Sequence, residues 1–102
     1  MSVVVVATIY PETEFRAEVI AAFEQAILAV HDEPGCELYA LHEGRDRLVM
    51  VEKWADGDSL AVHGKAAALR GLGAALDGKL AAPLDVQVLT AYPAGDPAKG
   101  TL

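Results

Sequence analysis

The stretch Glu33–Ala55, EPGCELYALHEGRDRLVMVEKWA, decides the fold. Glu33-Pro34-Gly35 stops whatever helix precedes it, because Pro disfavours α geometry in the residue before it and Gly tolerates the sharp turn that follows. Cys36–Glu43 and Arg47–Ala55 then read as two strands, and the polar Gly44-Arg45-Asp46 between them as a short hairpin turn. Strand alternation puts Glu37, Tyr39, Leu41 and Glu43 on one face of the first strand, with Cys36, Leu38, Ala40 and His42 opposite. In the second strand Leu48, Met50, Glu52 and Trp54 share a face, with Val49, Val51 and Lys53 opposite.

On both sides of this hairpin the period changes to that of a helix. Upstream, Phe15, Val19, Phe23, Ile27 and Val30 recur at helical spacing, which predicts a helix over Thr13–Val30. Thr13 is placed to cap it, with Glu14 beside the positive helix end. Further upstream, Val3–Tyr10 is β-branched and continuously apolar, a strand buried on both faces that Pro11 ends. Downstream, Asp56-Gly57-Asp58-Ser59 offers caps for a second helical region over Ser59–Leu80, broken near Gly64 or near Gly71-Leu72-Gly73. Leu69, Leu72, Leu76 and Leu80 form its apolar stripe. Pro83 ends it, Asp85–Tyr92 alternates as a last strand, and Pro93–Leu102 is a loop or an arm reaching a neighbour.

The order β-α-β-β-α-β is that of an α+β, ferredoxin-like plait: an antiparallel sheet with its helices on one face. The other face stays uncovered although its strands are apolar on both sides. An open apolar face on the order of several hundred Å² is a liability for a monomer, and two such faces packed together predict a homodimer with a barrel-like core.

A chain of 102 residues supports one domain, here residues 1–102 with a core over about 3–92 and a tail over 93–102. Apolar residues make up 53% of it, which excludes a disordered chain. Fifteen acidic residues against eight basic ones leave a net charge of −7. That sign repels phosphate backbones and anionic lipid surfaces, so neither nucleic acid nor membrane is an expected partner. No apolar run reaches the roughly 20 residues that span a bilayer, and Val3–Ile9 is too short, without a basic flank, to be a signal peptide. The single Cys36 has no internal partner for a disulfide, which fits a reducing cytoplasm.

Three local patterns on this topology resemble the antibiotic biosynthesis monooxygenase family: Glu33-Pro34-Gly35-Cys36 leading into the second strand, Glu52-Lys53-Trp54 ending the third, and Leu60-Ala61-Val62-His63 on the helix after it. The likeness covers roughly residues 3–92. It implies a dimeric α+β barrel and a family that includes cofactor-independent oxygenases of aromatic polyketides, quinol monooxygenases, haem-degrading enzymes and members with no established activity. The haem-degrading branch carries an Asn near the position of Thr8, beside its Trp and His. Here Thr8 or a close neighbour stands there, so that triad is incomplete.

Read from the residues alone, Trp54 ends a strand and His63 follows nine residues later on the helix that folds back over the sheet, so the two can meet at the mouth of a cleft. An indole there offers a flat wall for an aromatic ring, and an imidazole can take a phenolic proton near neutrality. A phenolate or quinolate is electron-rich enough to reduce O2 by one electron, so a base, an aromatic clamp and a dry pocket suffice, and no cofactor is expected. The expected activity is oxygenation of a small phenolic, quinol or polyketide-like aromatic substrate to a quinone. The catalytic candidates are His63 and Trp54, and the substrate-binding candidates are Thr8, Tyr39 and Glu52. Each also has a plainer reading: Trp54 as core aromatic, His63 as a helix residue capping a carbonyl, Glu52 as half of an interchain salt bridge, Tyr39 as packing. His31 sits just before a helix end, where a cation is favourable; His42 reads as a rim residue, Cys36 as a small buried filler, and Arg16 as a solvated charge. The competing function is a non-catalytic small-molecule-binding or stress-response dimer; haem binding and degradation is a third.

Overall fold

A computed structural model describes residues 1–102. Strand β1 (Val3–Ile9) is followed by a 3-10 turn (Thr13–Phe15), helix α1 (Arg16–His31), strands β2 (Cys36–Glu43) and β3 (Leu48–Trp54), helices α2 (Gly57–Lys65) and α3 (Ala67–Leu76), and strand β4 (Asp85–Leu89). The four strands form one antiparallel sheet in the order β2-β3-β1-β4. This is the ferredoxin-like arrangement expected from the element order. No helix is long and apolar enough to cross a membrane.

The hairpin forms where the sequence places it. Gly44 N–H donates to Arg47 O at 2.7 Å, and Arg16, at the start of α1, donates from Nη2 to Gly44 O at 2.9 Å. Arg16 is thus a clasp on the turn and not only a solvated charge. Asp56 caps α2 by accepting from Ser59 N–H at 2.8 Å, and that contact holds its carboxyl below the ordinary value. The second helical region divides at Ala66, where the backbone is extended (φ −72°, ψ 155°), two residues past Gly64. Gly71 and Gly73 lie inside α3.

Three expectations are corrected. Thr13 does not cap α1: the chain first makes a 3-10 turn, and its side chain accepts no capping bond. The alternation of β2 is shifted by a bulge between Cys36 and Leu38, where the pairing slips relative to Trp54 and Lys53. The bulge lets Cys36 pack against the core beside Tyr39. The last strand stops at Leu89. The tail over 93–102 is a loop, and Lys53 Nζ donates to Leu102 O at 2.9 Å.

The core lies between one face of the sheet and α1. Val5, Ile9, Leu48, Met50 and Trp54 point into it from β1 and β3, and Val19, Phe23 and Val30 from α1. Helix α1 packs on β2 and α3, and α2 on β3. Helix α3 makes most of its contacts with α1, and all five residues of β4 are exposed. The helical layer therefore stops short of β4 and leaves a gap above β1 and β4. On the other face Val6, Thr8, Ala40, Val49 and Val51 stay only half-buried, an apolar surface without a helix.

Candidate functional site

The gap under α3 is a cavity of about 370 Å³ that crosses the sheet from Tyr39 on β2, past Glu52 on β3 and Val5, Ala7 and Ile9 on β1, to Val86 and Val88 on β4. Leu60, His63 and Gly64 of α2 and Leu69, Leu72 and Leu76 of α3 roof it. Its polar side chains gather at one end: Tyr39, Glu52 and His63. The β4 end is apolar and, because Val86 and Val88 are exposed, open to solvent. A wider hollow of about 450 Å³ continues from Gly73, Leu76 and Leu84 beyond the end of α3, where Asp77 is its only titratable lining group.

His63 is only 4% exposed and is fixed on three sides. Its Nδ1 is 2.8 Å from Glu33 Oε1. The ring lies over the Trp54 indole with centroids 4.5 Å apart and planes tilted by 30°, and Tyr39 meets it edge-on at 5.6 Å. With Glu33 accepting the Nδ1–H, the Nε2 lone pair is the free one, and it sits 3.9 Å from Glu52 Oε1. That separation is too long for a direct hydrogen bond. A ligand oxygen about 2.8 Å from each atom would fit between them.

Glu52 is held in turn by Trp54, whose Nε1–H donates to Glu52 Oε1 at 2.9 Å. The two residues are two apart on β3, so both point to the same face and the contact is built into the strand. Burial pushes the Glu52 carboxyl above its ordinary value, and the Glu33 charge adds to that; the indole N–H and His63 pull the other way. Burial, with Glu52 and Glu33 nearby, also raises the Tyr39 phenol, which stays an O–H donor. The same causes raise the Cys36 thiol and keep it un-ionised, so Cys36 is packing and not a nucleophile. No group of three or more His, Cys, Asp or Glu side chains is arranged to hold a metal ion.

Of the residues singled out from sequence, the structure brings His63, Glu52 and Tyr39 together on the cavity wall. Two are placed differently. Trp54 is fully buried and lies behind His63, so it is no aromatic wall for a ligand; it anchors Glu52 and backs the imidazole. Thr8 alternates with Ala7 and Ile9, which face the cavity, and so projects from the opposite face of the sheet. The 102 residues contain no Asn, so the haem-type triad has no third member. The sequence marks Glu33 only as a turn residue, because its contact with His63 spans 30 positions. His31 is likewise committed elsewhere, with Nε2 2.9 Å from Tyr39 O.

The profile of the antibiotic biosynthesis monooxygenase family matches residues 2–72, which carry Glu33, Tyr39, Glu52, Trp54 and His63. The chain belongs to this family. Among solved structures, Rv0793 from Mycobacterium tuberculosis superposes on this monooxygenase-family chain with a TM-score of 0.87 at 24% identity, covering 94% of this chain and 100% of that one. A Caulobacter crescentus CB15 protein named for the same family gives a TM-score of 0.84 at 27% identity over 89% of this chain and 90% of its own. A conserved protein from Methanosarcina mazei Go1 gives 0.83 at 22% identity over 87% and 91%. No curated protein matches the chain. The structural likeness below 25% identity speaks for the fold alone.

Proposed function

We propose that the protein is a cofactor-independent monooxygenase that oxidises a small phenolic, quinol or polyketide-like aromatic substrate to a quinone. The observation that carries this reading is the 2.8 Å contact between Glu33 and His63 Nδ1, because it leaves Nε2 as a base at the polar end of an apolar cavity. The ring of the substrate lies among Val5, Ala7 and Met50, and its hydroxyl reaches His63 Nε2. The imidazole takes the hydroxyl proton, and Glu33 stabilises the imidazolium that forms. Tyr39 can donate to the phenolate oxygen.

The phenolate passes one electron to O2, and the superoxide and phenoxyl radical combine at a ring carbon. The resulting peroxide anion recovers the proton from His63. Loss of the ring C–H proton and of hydroxide then gives the quinone and water. The sum is substrate plus O2 to quinone plus H2O, with His63 restored. The apolar lining concentrates O2 and substrate and excludes water from the radical pair. A second copy packed on the open sheet face completes the unit as a homodimer, which the half-buried valines of β1 and β3 support.

The test is oxygen uptake against a panel of phenols and quinols, with a metal chelator and no added flavin. The expected result is one O2 consumed per quinone formed, and loss of turnover in His63→Ala. Absence of uptake across the panel, or full turnover in His63→Ala, overturns the assignment; saturable binding without uptake would leave a non-catalytic binding protein.

A further inference from the structure

The polar end of the cavity has acid–base groups but no cation of its own. Among its lining residues only Tyr39, Glu52 and His63 carry a polar side-chain atom, and none is Lys or Arg. Glu33 stands directly behind His63. While Glu33 is ionised the charge of this cluster does not become positive: two carboxylates outweigh one imidazolium, and protonating Glu52 brings the sum only to zero. We propose that the cavity selects uncharged hydroxyarenes and rejects those with a carboxylate beside the hydroxyl. The proposal rests on reading this cavity as the site of hydroxyarene oxidation, and it names the charge class that the site takes.

The physical basis is a difference in what each ligand brings. An uncharged phenol hands its proton to His63 Nε2, so the phenolate it becomes is balanced by the imidazolium it creates, and the site gains no net charge. An ortho-carboxylate enters already charged. It would lie against Glu52, which is 5% exposed, where like charges interact strongly because water is excluded. The Tyr39 hydroxyl is the only fixed neutral O–H donor there, and one such donor cannot replace the hydration of a carboxylate. Reversing the ring carries the carboxylate to the solvent-open end beside Ala7, Ile9 and Val86, but the hydroxyl next to it then leaves His63, so the acid escapes Glu52 only by giving up that contact. The protein's net charge of −7 acts in the same direction on approach.

The experiment is anaerobic calorimetric titration of the full chain with three compounds: β-naphthol, the acid formed by placing a carboxylate beside its hydroxyl, and the methyl ester of that acid. The ester matches the acid closely in shape without its charge. The expected result is saturable binding of naphthol and ester, and binding of the acid weaker than the ester by about tenfold or more. In Glu52→Gln, which keeps an oxygen to accept from Trp54, the gap between acid and ester should narrow. Equal affinity for acid and ester overturns the proposal, as does an ester bound as weakly as the acid, or no binding of either uncharged compound. The wild-type comparison decides the matter even if Glu52→Gln fails to fold. If acid and ester bind alike while oxygen uptake persists, the charge rule falls and the oxygenase assignment stands. If the charge rule holds while no phenol or quinol supports uptake, the reverse is true.

Discussion

Glu33 and His63 meet across 30 residues of chain, carboxylate Oε1 to imidazole Nδ1, at 2.8 Å. The loop that ends α1 thereby determines which nitrogen of a helix α2 residue is free to act in the cavity. Removing the imidazole in His63→Ala should lower kcat/KM by about 10²–10⁴-fold, the worth of a positioned general base. Glu33→Gln keeps the imidazole but not the charge behind it, so its loss should be smaller and confined to kcat. Oxygen-electrode kinetics and the imidazole nitrogen chemical shifts check this. An unchanged kcat in Glu33→Gln would reduce the pair to a structural contact.

Trp54 separates two roles that the sequence left entangled. It stacks on His63 and donates to Glu52, but it is fully buried and absent from the cavity lining. Trp54→Phe should therefore cost about 1.5–3 kcal/mol for the lost hydrogen bond to a buried carboxylate, with a further loss for the smaller ring. Affinity for β-naphthol should stay essentially unchanged. Urea unfolding and calorimetric binding measure the two effects separately. Intact stability with lost binding would mean that the indole touches the ligand after all.

The difference between what was legible and what was not follows from chain distance. Gly44-Arg45-Asp46 and the alternating residues on either side are local signals, and the β2–β3 hairpin forms where they place it. Shared faces within a strand are local too, and alternation alone makes Glu52 and Trp54 neighbours. Which face of β1 meets the helices was not local: Val3–Val6 is apolar at every position, so its period cannot say whether Ala7 or Thr8 looks into the cavity. Glu33 was hidden because a residue before Pro-Gly reads as part of a turn, and nothing local pairs it with a histidine so far along the chain. The bulge at Cys36 breaks the strict alternation that would have sent that side chain outward.

Gly35 is the joint that makes the long-range pair possible. Its φ is +78°, and a Cβ there would collide with Ser59, 2.5 Å from the Ser59 Cβ. Its carbonyl accepts from Ala55 N–H at 2.8 Å, so the turn is tied to the end of β3 as well as pressed against α2. Gly35→Ala should destabilise the fold by about 2–4 kcal/mol, combining left-handed strain with overpacking. Because the same loop carries Glu33, turnover of the folded fraction should fall as well. Thermal unfolding and single-turnover kinetics give the two numbers, and a neutral substitution would show that the loop is free to move away from α2.

The pH dependence of stability should carry the signature of Glu52. Burial holds its carboxyl above the ordinary value, which is about 4.3. The folded protein then binds that proton more tightly than the unfolded chain does. The group's contribution to stability is complete below the ordinary value and is lost as pH rises through the folded one. Wild type should thus gain stability relative to Glu52→Gln as pH falls through the raised folded value toward the ordinary one, measured as urea midpoints for both proteins at each pH. If wild type instead loses ground on acidification, the Trp54 N–H and His63 outweigh burial, and Glu52 is an anchored anion.

Val51 tests the open face. It pairs with Val6 of β1 and Ala40 of β2, so it sits near the middle of the face that no helix covers, on the opposite side of the sheet from the cavity. In an isolated subunit, Val51→Arg would change a half-exposed position and cost little, within about 0.5 kcal/mol. In a dimer packed through this face it buries a charge without a partner, and the cost falls on association. Sedimentation should show wild type at twice the subunit mass and Val51→Arg at the subunit mass. Binding of β-naphthol should be retained if each cavity is complete within one chain. A wild type that sediments as a single subunit at high concentration would mean that the open face is tolerated as it is, with the half-buried flanks of its valines as its only shelter.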